Sequence, residues 1–295
     1  MRAAERGFLL LASTLGDLRR PTLTATQLRI LGERARLLKP EQGQRELTES
    51  DLVSIGYGKE MARRILKLLS QEDVLDYYLQ KGRASDCVPI TRVTPGYPLG
   101  LRKGLGLESP ACLWTKGDLS LLERPRVALV GSRDIRPENA AFARRVGEEA
   151  AKQGYVLVSG NARGADRIAQ EACLAEGGRV ICVIADGLEQ KKRHPSVLYL
   201  SEETYDQPFS IQRALSRNRV IHALANVTMV AQCELEAGGT WQGTSLNLHY
   251  GWSPVRCFRD GSEAMTQLEH RGAELIDLEQ LENLAELSVR QNSLF

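Results

Sequence analysis

Two short turns in this chain carry the residues best suited to hold an anion. The first is Gly131-Ser132-Arg133, the second Ser159-Gly160-Asn161-Ala162-Arg163-Gly164-Ala165-Asp166. Each follows a short apolar run, Val127 to Val130 and Tyr155 to Val158, and each leads into an amphipathic stretch. Glycine lets backbone N–H groups come close to a phosphate, and arginine adds a planar fork of donors. A Gly-Ser corner by itself is also how ordinary α/β proteins leave a strand. Two such corners on successive strands, each with an arginine, point to a phosphate-binding rim. The dinucleotide pattern G-x-G-x-x-G is absent from the first turn, and a Walker A lysine motif is absent too. NAD binding and P-loop ATP hydrolysis are therefore disfavoured.

Apolar strand, glycine turn, helix, repeated, is the rhythm of a parallel sheet with crossover helices. In such sheets ligands sit beyond the carboxyl ends of the strands, against helix N-termini. The pattern predicts a helix starting at Pro137, a good first-turn residue, and another over 164–176. Further strands are predicted at 179–185, 197–200, 226–231, 255–258 and 274–278, with helices over 212–224 and from the third glycine turn, Gly238-Gly239-Thr240, to about Tyr250. The basic loop Gln190-Lys191-Lys192-Arg193-His194-Pro195 is expected at the same edge as the glycine turns. The fold class expected is α/β: an extended Rossmann-like, mostly parallel sheet flanked by helices. A small all-helical domain over 1–82 precedes it, then a proline- and glycine-punctuated connector over 83–125 with a short strand at 111–114. The core spans 126–280, and a tail, 281–295, reads as a polar helix that frays. In the helical part, a pattern over 26–38 halts at Pro40. Gly56-x-Gly58, followed by Lys59, Arg63 and Arg64, resembles a helix-hairpin-helix element, whose turn presents N–H groups to a DNA phosphate. A plain packing unit with a tight bend fits the same residues.

At 295 residues the chain is long enough for one large and one small domain. Its hydrophobic fraction of 42% and charged fraction of 26% are those of a soluble globular protein. A net charge of only +2 means that any polyanion site must come from local clustering. Six scattered cysteines without a C-x-x-C fit reduced thiols in the cytoplasm, not disulfides or zinc. No apolar run is long enough to span a membrane. The four histidines, His194, His222, His249 and His270, lack metal-ligand spacing, and no Ser-His-Asp or Cys-His order can be defended.

With these residues in view, the chain resembles the DprA/Smf family of bacterial DNA-processing proteins. Tyr97-Pro98-Leu99, Leu113-Trp114 and Gly117-Asp118-Leu119 are similar to its lead-in elements. Val130-Gly131-Ser132-Arg133 matches its Val-Gly-Ser-Arg turn, and the turn from Ser159 to Asp166 its Ser-Gly-Leu-Ala-x-Gly-Ile-Asp turn. Ser201-Glu202, Phe209 and Arg217-Asn218-Arg219-Val220-Ile221 follow in the family's order, then Gly238-Gly239-Thr240. The resemblance implies a SAM-like helical domain and a core that binds single-stranded DNA without catalysis, loading the RecA recombinase as in natural transformation. It implies a homodimer with no cofactor, no metal and no membrane contact. Carried over by position, the DNA pocket comprises Gly131, Ser132, Arg133, Ser159, Gly160, Arg163, Gly164, Arg217, Asn218, Gly238, Gly239 and Thr240, extended by Lys191 and Lys192. Asn218 serving as a backbone cap, and Arg219 pairing Glu202 or Asp166, are the structural alternatives within that motif. The segment from His194 to Glu202 is shorter than the family's, Asn161 and Arg163 make the second turn more basic, and Trp241 and Gln242 are unusual. No winged-helix domain is expected after the core.

The last residues, Gln291-Asn292-Ser293-Leu294-Phe295, resemble the peptide by which bacterial proteins dock on the replicative sliding clamp. Gln291 and Ser293 would set register while Leu294 and Phe295 fill an apolar pocket. A tail folded back on the sheet is the alternative. Two rival functions stay open: a nucleotide N-glycosidase of the phosphoribohydrolase type, suggested by Glu234 and Glu236 before Gly238-Gly239-Thr240, and a sensor of free nucleotides in a defence pathway.

Overall fold

The structure is a computed structural model that describes residues 1–39, 45–202 and 204–289. Among the described residues five helices open the chain: α1 (Ala3–Ala12), α2 (Ala25–Ala35), α3 (Glu49–Ser54), α4 (Lys59–Leu69) and α5 (Glu72–Ala84). Thr24 and Thr48 cap α2 and α3 by accepting from the N–H groups of Gln27 and Asp51. Pro40, where the second helical pattern was expected to stop, lies outside the described residues.

The sheet has nine strands: β1 (Val88–Thr91), β2 (Cys112–Lys116), β3 (Arg126–Val130), β4 (Val156–Ser159), β5 (Arg179–Ile184), β6 (Val197–Glu202), β7 (Val227–Val230), β8 (Val255–Phe258) and β9 (Glu274–Ile276), in the order β1-β2-β6-β5-β4-β3-β7-β8-β9. All pairs from β6 across to β9 are parallel; the pairs β1–β2 and β2–β6 at one edge are antiparallel, so β2 alone runs against the other strands. This is the expected Rossmann-like, mostly parallel sheet flanked by helices. Strand β3 continues to β4 on one side while β7 lies on its other side, so the topological switch falls between β3 and β7.

Helices α7 (Pro137–Lys152) and α8 (Ala165–Ala175) cover one face. Their Phe142, Val146 and Ala169 join Val127, Leu129 and Leu157 in one buried cluster. Helices α6 (Leu99–Leu105), α9 (Ile211–Leu224), α10 (Gly238–Tyr250) and α11 (Glu263–His270) cover the other, through Leu101, Val220, Trp241 and Met265. Strands buried on both faces need continuous apolar runs, and β3, β4 and β5 have them.

The helical segment is welded to the sheet. Leu9 and Leu10 of α1 and Leu75, Tyr78 and Leu79 of α5 belong to the same cluster as Trp114 and Tyr205. Trp114 meets Tyr78 edge-on at 5.3 Å and Tyr205 at 4.5 Å. Only Leu11, Leu23, Leu52, Ile55, Ala62, Ile65 and Leu68 form a separate small core.

Three sequence expectations need correction. Residues 281–287 do not fray: Leu281, Leu284 and Leu287 are buried in the main core, Leu284–Leu287 forms a short helix (α12), and Gln153, at the C-terminal cap of α7, bonds both Leu281 O and Leu284 N–H at 2.8 Å. Their polar neighbours masked a one-sided apolar spacing. The connector holds strand β1 and helix α6 as well as the expected strand; Pro89 is tolerated because β1 is an edge strand. Finally, the loop over 185–196 contains only a 3-10 turn at Leu188–Gln190 and returns along the sheet to its opposite end. Arg193 and Pro195 there line a hollow with Gly117, Asp118 and Leu119. A crossover to the adjacent parallel strand must travel the strand's whole length, so its basic residues cannot all stay at one edge.

The candidate single-strand DNA interface

Three glycine turns meet at the carboxyl edge of β3, β4 and β7, and hydrogen bonds tie them together. The Ala165 N–H donates to Ser132 O at 3.1 Å, joining the second turn to the first. Thr240 Oγ1 donates to Gly131 O at 3.1 Å, joining the third to the first. Asn218 Nδ2 donates to Gly239 O at 3.0 Å, fixing the third turn to α9. Glycine is required where they touch. Gly164 has φ +81°, and a Cβ there would lie 2.4 Å from Arg133 O and 2.5 Å from Ser132 O. A Cβ on Gly131 would lie 2.5 Å from that of Ala165.

Two adjoining cavities open at this edge. The larger, about 610 Å³, is bounded by the first and third turns and by α9. The smaller, about 330 Å³, lies over the second turn and the end of β5 at Ala185 and Asp186. Arg133, Ala162, Phe209 and Arg217 line both, and Arg163 lines the smaller. The arginines expected to act together are thus on one ledge at the switch point.

Their roles differ. Arg133 is exposed, and among the described residues its guanidinium makes no hydrogen bond or ion pair. Arg163 is exposed and pairs with Asp134 at 2.9 Å, a rim pair worth little. Arg217 is only 8% exposed; it donates to Val183 O at 2.8 Å and lies so close over Gly160 that a Cβ there would clash. Burial pulls its guanidinium below the ordinary arginine range, opposed by the charge of Asp166. Asp166 accepts from the N–H groups of Gly160 at 2.9 Å and Ala162 at 3.1 Å, shaping the second turn. Burial pushes its carboxyl up, against the pull of Arg217 and those amides.

The remaining expected residues divide. Ser132, Asn218, Gly238, Gly239 and Thr240 line the larger cavity, and Gly160 the smaller. Gly164 acts through the backbone fit already described. Ser159 is wholly buried and accepts from Gln170 behind the turn. Lys191 is held by Asp186 at 2.5 Å, Lys192 is exposed, and neither lines a cavity at this edge. Arg219 pairs Glu202 at 2.7 Å and reaches Glu108 O, so it braces α9. Gln291, Ser293, Leu294 and Phe295 lie outside the described residues. Phe209, named in the resemblance but not among the expected pocket residues, is 53% exposed and lines both cavities. Among the described residues no cluster of His, Cys, Asp or Glu could hold a metal ion, and no helix is long and apolar enough to cross a membrane. In the helical segment, Arg63 pairs Glu49 at 2.8 Å, Arg64 donates to Thr22 O at 2.7 Å, and Arg34 donates to Gly56 O at 2.5 Å. Arg34 thus braces the Gly56-x-Gly58 turn, and Arg63 and Arg64 have internal partners elsewhere in the segment.

Comparison with known families gives the same ordered core: the model described as DNA recombination-mediator protein A matches residues 89–287. The chain belongs to this family. Among relatives of the DNA recombination-mediator family, DNA processing protein DprA of Streptococcus pneumoniae is 34% identical over 142 residues, 44% of this chain and 50% of that one. DNA processing protein DprA of Bacillus subtilis is 27% identical over 224 residues, 66% of this chain and 72% of that one. The chain thus spans half the length of its pneumococcal relative in that match. In three dimensions it is similar to the X-ray structure of the pneumococcal DprA, with a TM-score of 0.67 and 25% identity, covering 90% of this chain and 98% of that one. The Helicobacter pylori DNA processing protein A, whose structure concerns its single-stranded DNA binding mode, shares the fold with a TM-score of 0.58 at 24% identity, covering 69% and 97%.

Proposed function

We propose that this chain binds single-stranded DNA along the carboxyl edge of its sheet, as a non-catalytic DNA-processing protein acting in recombination or uptake. The observation that carries the proposal is the ledge: Arg133 and Arg217 line both cavities, Arg163 the smaller, beside backbone turns closed by glycine. Single strands are held by a basic groove that tracks phosphates and by aromatic faces on which bases stack. Arg133 supplies a free fork, Arg217 a buried charge under the turn, and Phe209 an exposed ring between the two hollows. The names and folds of its relatives support the same class of work. Loading of a RecA-type recombinase, homodimer formation, a cytoplasmic setting and clamp docking through Leu294 and Phe295 complete the proposal.

One assay tests it: fluorescence anisotropy with single-stranded DNA, duplex DNA and free nucleotides side by side. Preference for the single strand, with affinity falling as salt rises, is the expected result. Preference for a free nucleotide would overturn it. The position of Glu234 on the larger cavity, beside the third glycine turn, favours a second reading as a nucleotide hydrolase. Release of free base from nucleoside monophosphates would establish that instead.

A further inference from the structure

The loop that joins β6 to α9 brings Phe209 to the mouth of both cavities, and it is held from two sides by residues distant in the chain. Tyr205 is wholly buried, its ring 4.6 Å from that of Tyr78 on α5 and 4.5 Å from that of Trp114. Its hydroxyl donates to Tyr78 O at 3.0 Å. The Tyr78 hydroxyl donates in return to Asp206 Oδ1 at 2.8 Å, and Lys81 Nζ stands 3.9 Å from Asp206 Oδ2. Gln207 Nε2 donates to Gly16 O, in the turn after α1, at 3.2 Å. From the other side, Arg213 of α9 donates to Gln207 O at 2.7 Å and to Pro208 O at 3.0 Å. Residues 205–208 are thus each fixed, and the next residue, Phe209, is left exposed.

These polar links are not needed to join the helical segment to the sheet. Leu9, Leu10, Leu75 and Leu79 already do that in the main core. The links go instead to the loop, and the fit there is close. Gly16 has φ +86°, and a Cβ on it would lie 3.0 Å from Tyr78 Cε2 and 3.2 Å from Asp206 Oδ2. The turn after α1 and helix α5 therefore press on Asp206, three residues before the exposed ring. A ring at a binding surface helps most when it is already held where the ligand arrives, because ordering a side chain on binding costs affinity.

We propose that α1 and α5 act in strand binding through this loop: Tyr78, Asp206 and Gln207 are positioning residues that hold Phe209 ready for the bound strand. This rests on the single-strand function proposed above. It gives the helical segment a part in binding that requires no contact of its own with DNA. The coupling is mutual, so a bound strand also tightens the docking of α5 against the loop.

A double-mutant cycle on the full chain, read by anisotropy with a thymidine homopolymer, tests it. Phe209→Ala should weaken binding about 5- to 150-fold, the worth of one base stacked on a ring. Tyr78→Phe and Gly16→Ala should each weaken it about 2- to 10-fold, the cost of ordering one side chain on binding. In the Phe209→Ala background neither should change anything, because the ring they position is gone. Ile65→Val, in the separate small core, should lower stability to urea and leave affinity unchanged. Hydrogen exchange of the parent chain needs no variant: the strand should slow the amides of 205–209 and of α5 together. Losses that persist without Phe209, full affinity in any of the three loop variants, or protection confined to the glycine turns overturns this inference alone. A parent chain that binds no strand overturns the single-strand function and this inference with it.

Discussion

Replacing Arg133 by alanine should separate binding from folding. The side chain is exposed and, among the described residues, makes no hydrogen bond or ion pair, so its loss breaks none. Thermal stability should therefore stay within about 0.5 kcal/mol of the parent. A charge-assisted hydrogen bond to a phosphate is worth about 1.5–3 kcal/mol, so affinity for single-stranded DNA should fall about 10- to 150-fold. One lost phosphate contact should also reduce the slope of log affinity against log salt by about 0.7. Arg217→Ala, in the same cavities, should weaken binding too but should also cost stability. It removes a buried bond to Val183 O and the positive charge beside buried Asp166, so about 3 kcal/mol of stability should go with it. Anisotropy across a salt series, paired with urea denaturation, measures both effects. If Arg133→Ala leaves affinity and salt slope unchanged, the ledge does not hold the strand.

Other outcomes follow from the same geometry. Gly164→Ala forces a Cβ to within 2.4 Å of Arg133 O at φ +81°, and should cost about 3 kcal/mol by denaturation while weakening DNA binding. Tyr78 on α5 donates to Asp206 at 2.8 Å, and Gln207 donates to Gly16 O at 3.2 Å, so the helical segment braces the loop that carries Phe209. Tyr78→Phe should loosen that loop and weaken single-strand binding a few-fold, and equal affinity would show that the brace is idle. His222 titrates near 6.5 unfolded and at about 3 folded. The unfolded chain therefore binds the extra proton between those values. The stability that depends on the neutral ring is complete above about pH 6.5 and is lost as pH falls, by up to about 1.4 kcal/mol per unit. His222→Gln should flatten that dependence in denaturation curves near pH 7 and pH 5. Removing Leu294 and Phe295 should abolish capture by an immobilised sliding clamp and leave DNA affinity intact.

Local pattern made much of the sheet legible. The runs at Val127–Val130, Arg179–Ile184 and Val255–Phe258 are strands within a residue or so of where apolar continuity places them, and Pro137 opens its helix as its fixed φ requires. The three glycine turns were legible for the same reason, since each interrupts an apolar run at a strand end. The edge strand β1 was not, because its proline argues against a strand until an edge is known to be there. The short helix at Leu284–Leu287 was hidden in polar sequence, and its burial in the main core and its bonds to Gln153, just after α7, give it a place.

The site shows where the boundary lies. Residue types and order alone determined that backbone amides and arginines would gather beyond β3 and β4, because strand ends and crossovers follow from periodicity. Only the tertiary structure decided which of those groups face solvent. Ser159 turns inward to Gln170, Arg217 goes under the turn to Val183 O, and Lys191 is taken up by Asp186. Phe209 remains exposed at the mouth, and His222 reaches the floor. Burial and partnership depend on contacts between residues far apart in the chain, and neighbouring letters carry no record of them.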